Sequence, residues 1–119
     1  MSNNFPLFKK WYTISNWILE TIEKYPKSAR FIFSDRIANL TLDTLELITE
    51  AVYQKNKSEV LNKISINLEK IRVLMRMSMD KRYISEKQYE FISREINEAG
   101  KMTGGWIKTE NIKKNSAHE

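Results

Sequence analysis

Two arginines one helical turn apart, Arg72 and Arg76, stand in the run from Leu68 to Arg76. On a rigid helix their planar forks project to one side and can grip phosphates bidentately. Lys70, Lys81 and Arg82 extend the charge around the end of the same segment. Tyr83, Trp11 and Trp17, if exposed, offer ring faces on which unpaired bases stack. The same arginines equally fit a structural role, in salt bridges across the molecule to Asp43, Glu46 or Glu50.

Catalytic chemistry has little material to work with. The single histidine is His118, second from the end, so a histidine base, a catalytic triad and the Glu-x-x-His pair of a di-iron bundle are not expected. There is no cysteine, which removes a disulfide framework, a thiolate zinc site and a cysteine nucleophile together. Three glycines are too few for a phosphate-cradling loop, and Gly104-Gly105 has neither the GxGxxG nor the GxxxxGK spacing. Glu90, Arg94 and Glu98 recur at i, i+4 and i+8, a spacing that gathers charge for acid/base work but reads more simply as a solvated ladder of alternating sign. No catalytic residue, metal or cofactor is expected.

The basic residues are unevenly placed. Twenty Lys and Arg against fifteen Asp and Glu give a net charge of +5. Residues 1–54 hold six of each sign, so the whole excess belongs to residues 55–119. A basic field of this kind attracts polyanions through counterion release, which makes nucleic acid a reasonable partner. The alternative is a solvated surface that keeps a small domain soluble.

The elements that must position these groups are helical. The 119 residues suffice for one domain, and five Gly and Pro in total are too few for the turns of a β-protein. The first helix is expected from about Pro6 to Lys24, capped at Asn4, with Leu7, Trp11, Ile14, Ile18 and Tyr25 as its apolar stripe. The second begins after Pro26, capped by Ser28, on Phe33, Ile37, Leu40, Thr41, Thr44, Leu47, Ile48 and Ala51. The third, capped by Ser58, runs to about Met79 on Leu61, Ile64, Leu68, Ile71 and Met75. A Ser85/Gln88 capping box opens the fourth, which carries Tyr89, Ile92, Ile96, Ala99 and Thr103 and ends at Gly104-Gly105. Four helices of ~30 Å joined by short loops describe an up-down antiparallel four-helix bundle. It occupies residues 1–108, followed by a polar, flexible tail over 109–119. The N-terminus has no signal-peptide pattern and no stretch approaches a membrane span, so a cytoplasmic protein is expected.

The third helix carries a second apolar strip, Ile66, Val73 and Met77, opposite its core stripe. A helix apolar on two faces is usually buried on both, which points to self-association. Phe91 and Met102 outside the fourth helix and Leu42 outside the second point the same way more weakly.

Three stretches resemble the accessory variability determinant (Avd) family of diversity-generating retroelements. They are Tyr25-Pro26-Lys27 with Arg30-Phe31, Leu68-x-x-Ile71-Arg72 through Arg76, and Ala99 through Lys108, with Gly104-Gly105-Trp106 as the most specific part. The resemblance spans residues 5–108 in order. It implies a non-catalytic four-helix subunit that assembles into a ring, a homopentameric barrel with a basic surface. It also implies as partners the element's reverse transcriptase and its template RNA, held for mutagenic complementary-DNA synthesis. Carried over by position, Arg72 and Arg76 match the family's basic pair and Trp106 its closing tryptophan; Arg30 joins the residues implied to meet RNA or polymerase. Thr103 stands where the family is usually aliphatic. A sister family with the same bundle, encoded by intervening sequences in ribosomal RNA genes, is the alternative, as is a helical module that binds protein alone.

Overall fold

Pro6 opens helix α1, Pro6–Ile22, because its fixed φ suits a first turn and its missing N–H would have had no partner there. The computed structural model describes residues 6–117; Asn4 and His118 lie outside them. Helix α1 ends two residues earlier than its apolar stripe predicts. Pro26 excludes Tyr25 from helical backbone, and the N–H groups of Lys24 and Tyr25 close tight turns on the carbonyls of Thr21 and Ile22, each at 3.1 Å.

The chain re-enters helix in stages. A 3-10 turn at Lys27–Ala29 and a π turn at Arg30–Ser34 lead directly into α2, Asp35–Tyr53. Ser28, expected to cap α2, lies inside the 3-10 turn, and its side chain caps nothing. The π turn buries Phe33 while leaving Phe31 81% exposed and Ile32 exposed beside it.

Helix α3 spans Ser58–Asp80 and α4 spans Glu86–Ala117. Ser58 is the first residue of α3 and not its cap; its own N–H is taken by Asn56 Oδ1 at 3.3 Å. The capping box of α4 forms as expected, with Ser85 N–H donating to Gln88 Oε1 at 2.8 Å and Gln88 N–H to Ser85 Oγ at 3.1 Å. Gly104-Gly105 does not end α4. All three glycines keep negative φ and the helix runs twelve residues further, to Ala117, so residues 109–117 are helical. Trp106 and Ile107 pack onto the core beyond the glycine pair. Their burial outweighs the ~1 kcal/mol that each glycine costs a helix.

The four helices pack in the order α1–α2–α3–α4, with α4 returning against α1, as a rod of 55 × 23 × 22 Å. Among the described residues there are four long helices and no strand. The short loops 54–57 and 81–85 make α2, α3 and α4 alternate in direction. The core runs along the axis through Trp11, Ile18, Ile37, Ile48, Leu61, Ile64, Leu68, Ile71, Met75, Ile92 and Ile96, all at 2% exposure or less. Polar groups inside it pair with backbone, Ser15, Thr44 and Ser78 with the carbonyl one turn before them. Trp11 Nε1–H donates to the Thr41 carbonyl at 3.0 Å, joining α1 to α2. Thr103 is fully buried and returns its hydroxyl to the Ala99 carbonyl at 2.8 Å, so only its methyl faces the core and that end packs closed. An ion pair between Lys10 and Glu95 ties α1 to α4. Among the described residues no helix is long and apolar enough to cross a membrane.

This packing makes two predictions about stability. A Cβ added at Gly104 or Gly105 meets nothing within 4 Å, so each change to alanine should raise stability by about 0.5–1 kcal/mol in thermal melts; a loss would mean the glycines serve the subunit's own fold. Burial pushes the Tyr25 phenol above its ordinary value of 10.0, against a hydrogen bond with Ser78 that lowers it. The folded state therefore holds this proton more tightly than the unfolded chain. Its stabilising effect is complete below pH 10 and is lost as pH rises toward the folded value. Tyr25→Phe should flatten that alkaline fall, measured as the dependence of Tm on pH above 10.

Candidate nucleic-acid interface

The structure divides the sequence-predicted basic residues among three places. Arg72 and Arg76 both lie on the α4 side of α3, as their one-turn spacing requires, but their heads diverge along it. Arg72 Nη2 pairs back to Glu69 at 3.1 Å, and Arg76 Nε pairs forward to Asp80 Oδ1 at 3.4 Å. Neither reaches Asp43, Glu46 or Glu50, so the cross-molecule salt bridges do not form; both partners lie on α3 itself. Arg76 also stands over the Tyr89 ring, 5.9 Å from its centre.

Lys70 projects on the α2 side of α3, beside Arg36, Leu40 and Val73. Lys81, Arg82 and Arg30 gather at the far end of the rod. There Lys81 Nζ sits 5.9 Å from the Phe33 ring centre, and the π turn that begins at Arg30 packs Phe33 edge-on against Tyr83. Arg82 takes a left-handed φ of 65° to turn the chain from α3 into α4. The six residues therefore lie along the α4 edge of α3, on its α2 side and at one end of the rod, and not in one patch.

The proposed stacking rings are mostly inside. Trp11 is fully buried, Tyr83 is half-buried between Tyr25 and Phe33, and Trp17 is half-buried against Phe91. Trp11 is in the core because it falls on the apolar stripe of α1, whereas Trp17 and Tyr83 are covered by ring contacts with Phe91, Tyr25 and Phe33. Phe31 is more exposed than Tyr53 and Tyr12, the other well-presented rings; its exposure arises from the π turn and leaves no periodic trace in the sequence.

Two cations that the sequence did not single out for binding complete the edge. Arg94 and Lys101 line, with Arg72, Glu69, Glu98 and Gly100, a groove of about 560 Å³ between α3 and α4. The expected ladder through Glu90, Arg94 and Glu98 does not form. Glu98 pairs with Lys101 at 3.5 Å, and Arg94 makes no ion pair among the described residues. Arg72 Nε is buried with no hydrogen-bond acceptor among the described residues. The juxtaposition was illegible in sequence because it depends on the register of α3 against α4.

Lys57 is not available as a surface charge. Its ammonium donates to the carbonyls of Ala51 at 2.7 Å and Gln54 at 2.6 Å, satisfying the C-terminus of α2.

The second apolar strip is at the surface. Ile66, Val73 and Met77 are exposed, Val73 at 57%. Ile66 and Val73 line a groove of about 840 Å³ with Leu40 and Leu74, flanked by Arg36, Glu69 and Lys70. Leu42 is exposed and Phe91 lies at the rim, whereas Met102, expected outside, packs partly against the core.

Fold and surface together define a small all-helical bundle with a cationic edge and, among the described residues, no group of three His, Cys, Asp or Glu placed to hold a metal. The chain belongs to the bAvd-like family, whose model matches residues 6–110. That match runs from the first turn of α1 past Trp106 in α4 and agrees with the resemblance to the accessory variability determinants, an accessory, non-catalytic family. No curated protein and no solved structure matches the chain.

Arg76 and Asp80 are each 60% exposed, and their ion pair lies within one helix. Alanine at either should therefore shift stability by less than about 1 kcal/mol, read from urea midpoints. A shift of several kcal/mol would make this part of the edge structural.

Proposed function

We propose that this chain is a non-catalytic, cytoplasmic accessory protein of a diversity-generating retroelement. Copies of it form a ring that holds template RNA against the element's reverse transcriptase during mutagenic complementary-DNA synthesis. The observation that carries the proposal is the bAvd-like match over all four helices. The surface supports it in two ways. The net +5 resides in residues 55–119, whose exposed cations include Lys70, Arg76, Lys81, Arg82 and Arg94. The strip Ile66, Val73 and Met77 is an apolar face of the kind that self-association buries. Repetition by symmetry would then multiply weak phosphate contacts into useful affinity, on a homopentamer if the family's stoichiometry applies.

Salt and mass test the two halves of the proposal. RNA affinity should fall with salt at a log–log slope of about −0.7 per phosphate neutralised on a single strand. Arg72→Ala with Arg76→Ala should weaken capture of RNA or reverse transcriptase while the circular-dichroism helix signal is kept. A response flat in salt would favour a module that binds protein alone. Val73→Asp should lower the mass seen by light scattering; an unchanged mass would remove this strip from the interface.

A further inference from the structure

The groove between α3 and α4 has the parts of a phosphate seat. Arg72 enters it from α3, and Arg94 and Lys101 enter from α4. The Arg72 fork is half used. Nη2 holds Glu69, while Nε–H is buried with no acceptor among the described residues. A buried, unmet donor on a charged group is costly, and an oxyanion that displaces Glu69 from Nη2 can take two N–H groups of the same fork together.

Among the described residues Arg94 has no ion-pair partner, although carboxylates stand one turn away on either side of it. Lys101 pairs with Glu98 at 3.5 Å, in an ion pair exposed to solvent and easily exchanged. Glu69 and Glu98, the two carboxylates of the groove, are thus already engaged by Arg72 and Lys101, and the three cations leave one positive charge over.

Space and direction favour a polymer over a small anion. Gly100 lines the groove with bare backbone, and a Cβ built there meets nothing within 4 Å, so the subunit's own packing does not require a glycine. The groove is several times larger than one phosphate group. Its line of charge continues one turn along α3 to Arg76, about 6 Å further on the helix axis, where the guanidinium stands over Tyr89. Cations spaced at such steps beside a ring are how proteins track the backbone of an unpaired strand.

We infer that this groove seats the phosphodiester backbone of single-stranded RNA, with Arg72, Arg94 and Lys101 as its phosphate ligands and Gly100 as the point of closest approach. The inference rests on the proposal that the chain binds RNA, and it places Arg94 and Lys101 at that interface.

The test is anisotropy titration of the full chain with a short labelled oligouridylate across a series of salt concentrations, with the Arg72 Nε–Hε signal followed by NMR. Arg94→Gln with Lys101→Gln should weaken binding about tenfold and flatten the salt slope by about 1.4, because two phosphates are no longer neutralised, at ~0.7 each. Gly100→Leu should weaken binding several-fold while Tm holds or rises, since leucine is the better helix former; this separates obstruction of the groove from damage to the fold. The Arg72 signal should shift on adding the oligonucleotide. A double variant that binds like the parent with the same slope overturns the groove assignment and leaves the RNA proposal standing. A parent chain that binds no oligonucleotide overturns both. If millimolar inorganic phosphate shifts the Arg72 signal as far as the oligonucleotide does, the seat takes a free anion and its assignment to RNA is overturned.

Discussion

Burial of one face of α3 is the constraint from which the rest of the molecule follows. Leu61, Ile64, Leu68, Ile71 and Met75 are spaced to make a continuous seam, and all are at 2% exposure or less between α2 and α4. Fully burying side chains of this size stabilises by roughly 1.5–3 kcal/mol each, and the seam fixes the rotation of α3 about its own axis. Once that rotation is set, the outward positions have no freedom. Ile66, Val73 and Met77 must lie opposite the core, and Arg72 and Arg76 must lie at the α4 margin.

The charges on that margin are held loosely. Arg72 and Arg76 each find a carboxylate within a turn on α3, and Lys101 does the same on α4. Such local pairs contribute little to stability, so a polyanion can replace them at small cost. The contrast is with Lys10 and Lys57. One joins α1 to α4, and the other closes the carbonyl end of α2. Basic residues in one small chain thus serve two ends, and their acceptors distinguish them: another helix or a helix terminus in one case, a near neighbour in the other. The two grooves on α3 share Ser65 and Glu69 as a common wall, so an assembly built across the apolar strip would border the cationic groove.

Helix α4 shows where local rules give way to packing. A glycine pair near the end of an apolar pattern is a stop signal because glycine is permissive of the left-handed conformation that caps helices. Here both residues stay right-handed, since Trp106 and Ile107 on the far side have core to cover. In α1 the outcome is reversed, since Pro26 ends the helix although the apolar stripe continues to Tyr25; beyond it the π turn carries Phe31 outward.

The sequence by itself determined the helices and the faces they bury, because apolar residues at steps of three and four leave no alternative core, and Trp11, Leu68, Ile71 and Ile96 all lie where that periodicity puts them. It also determined the exposed strip on α3 and the capping box at Ser85, which depend only on neighbours within one or two turns. The family was legible for the same reason, being written in short motifs. Tertiary structure alone decided which charges meet. Arg94 faces Arg72 and ignores the carboxylates one turn away because the α3/α4 register, set by core packing, brings residues from two helices to one groove. Spacing along a single helix carries no information about that distance.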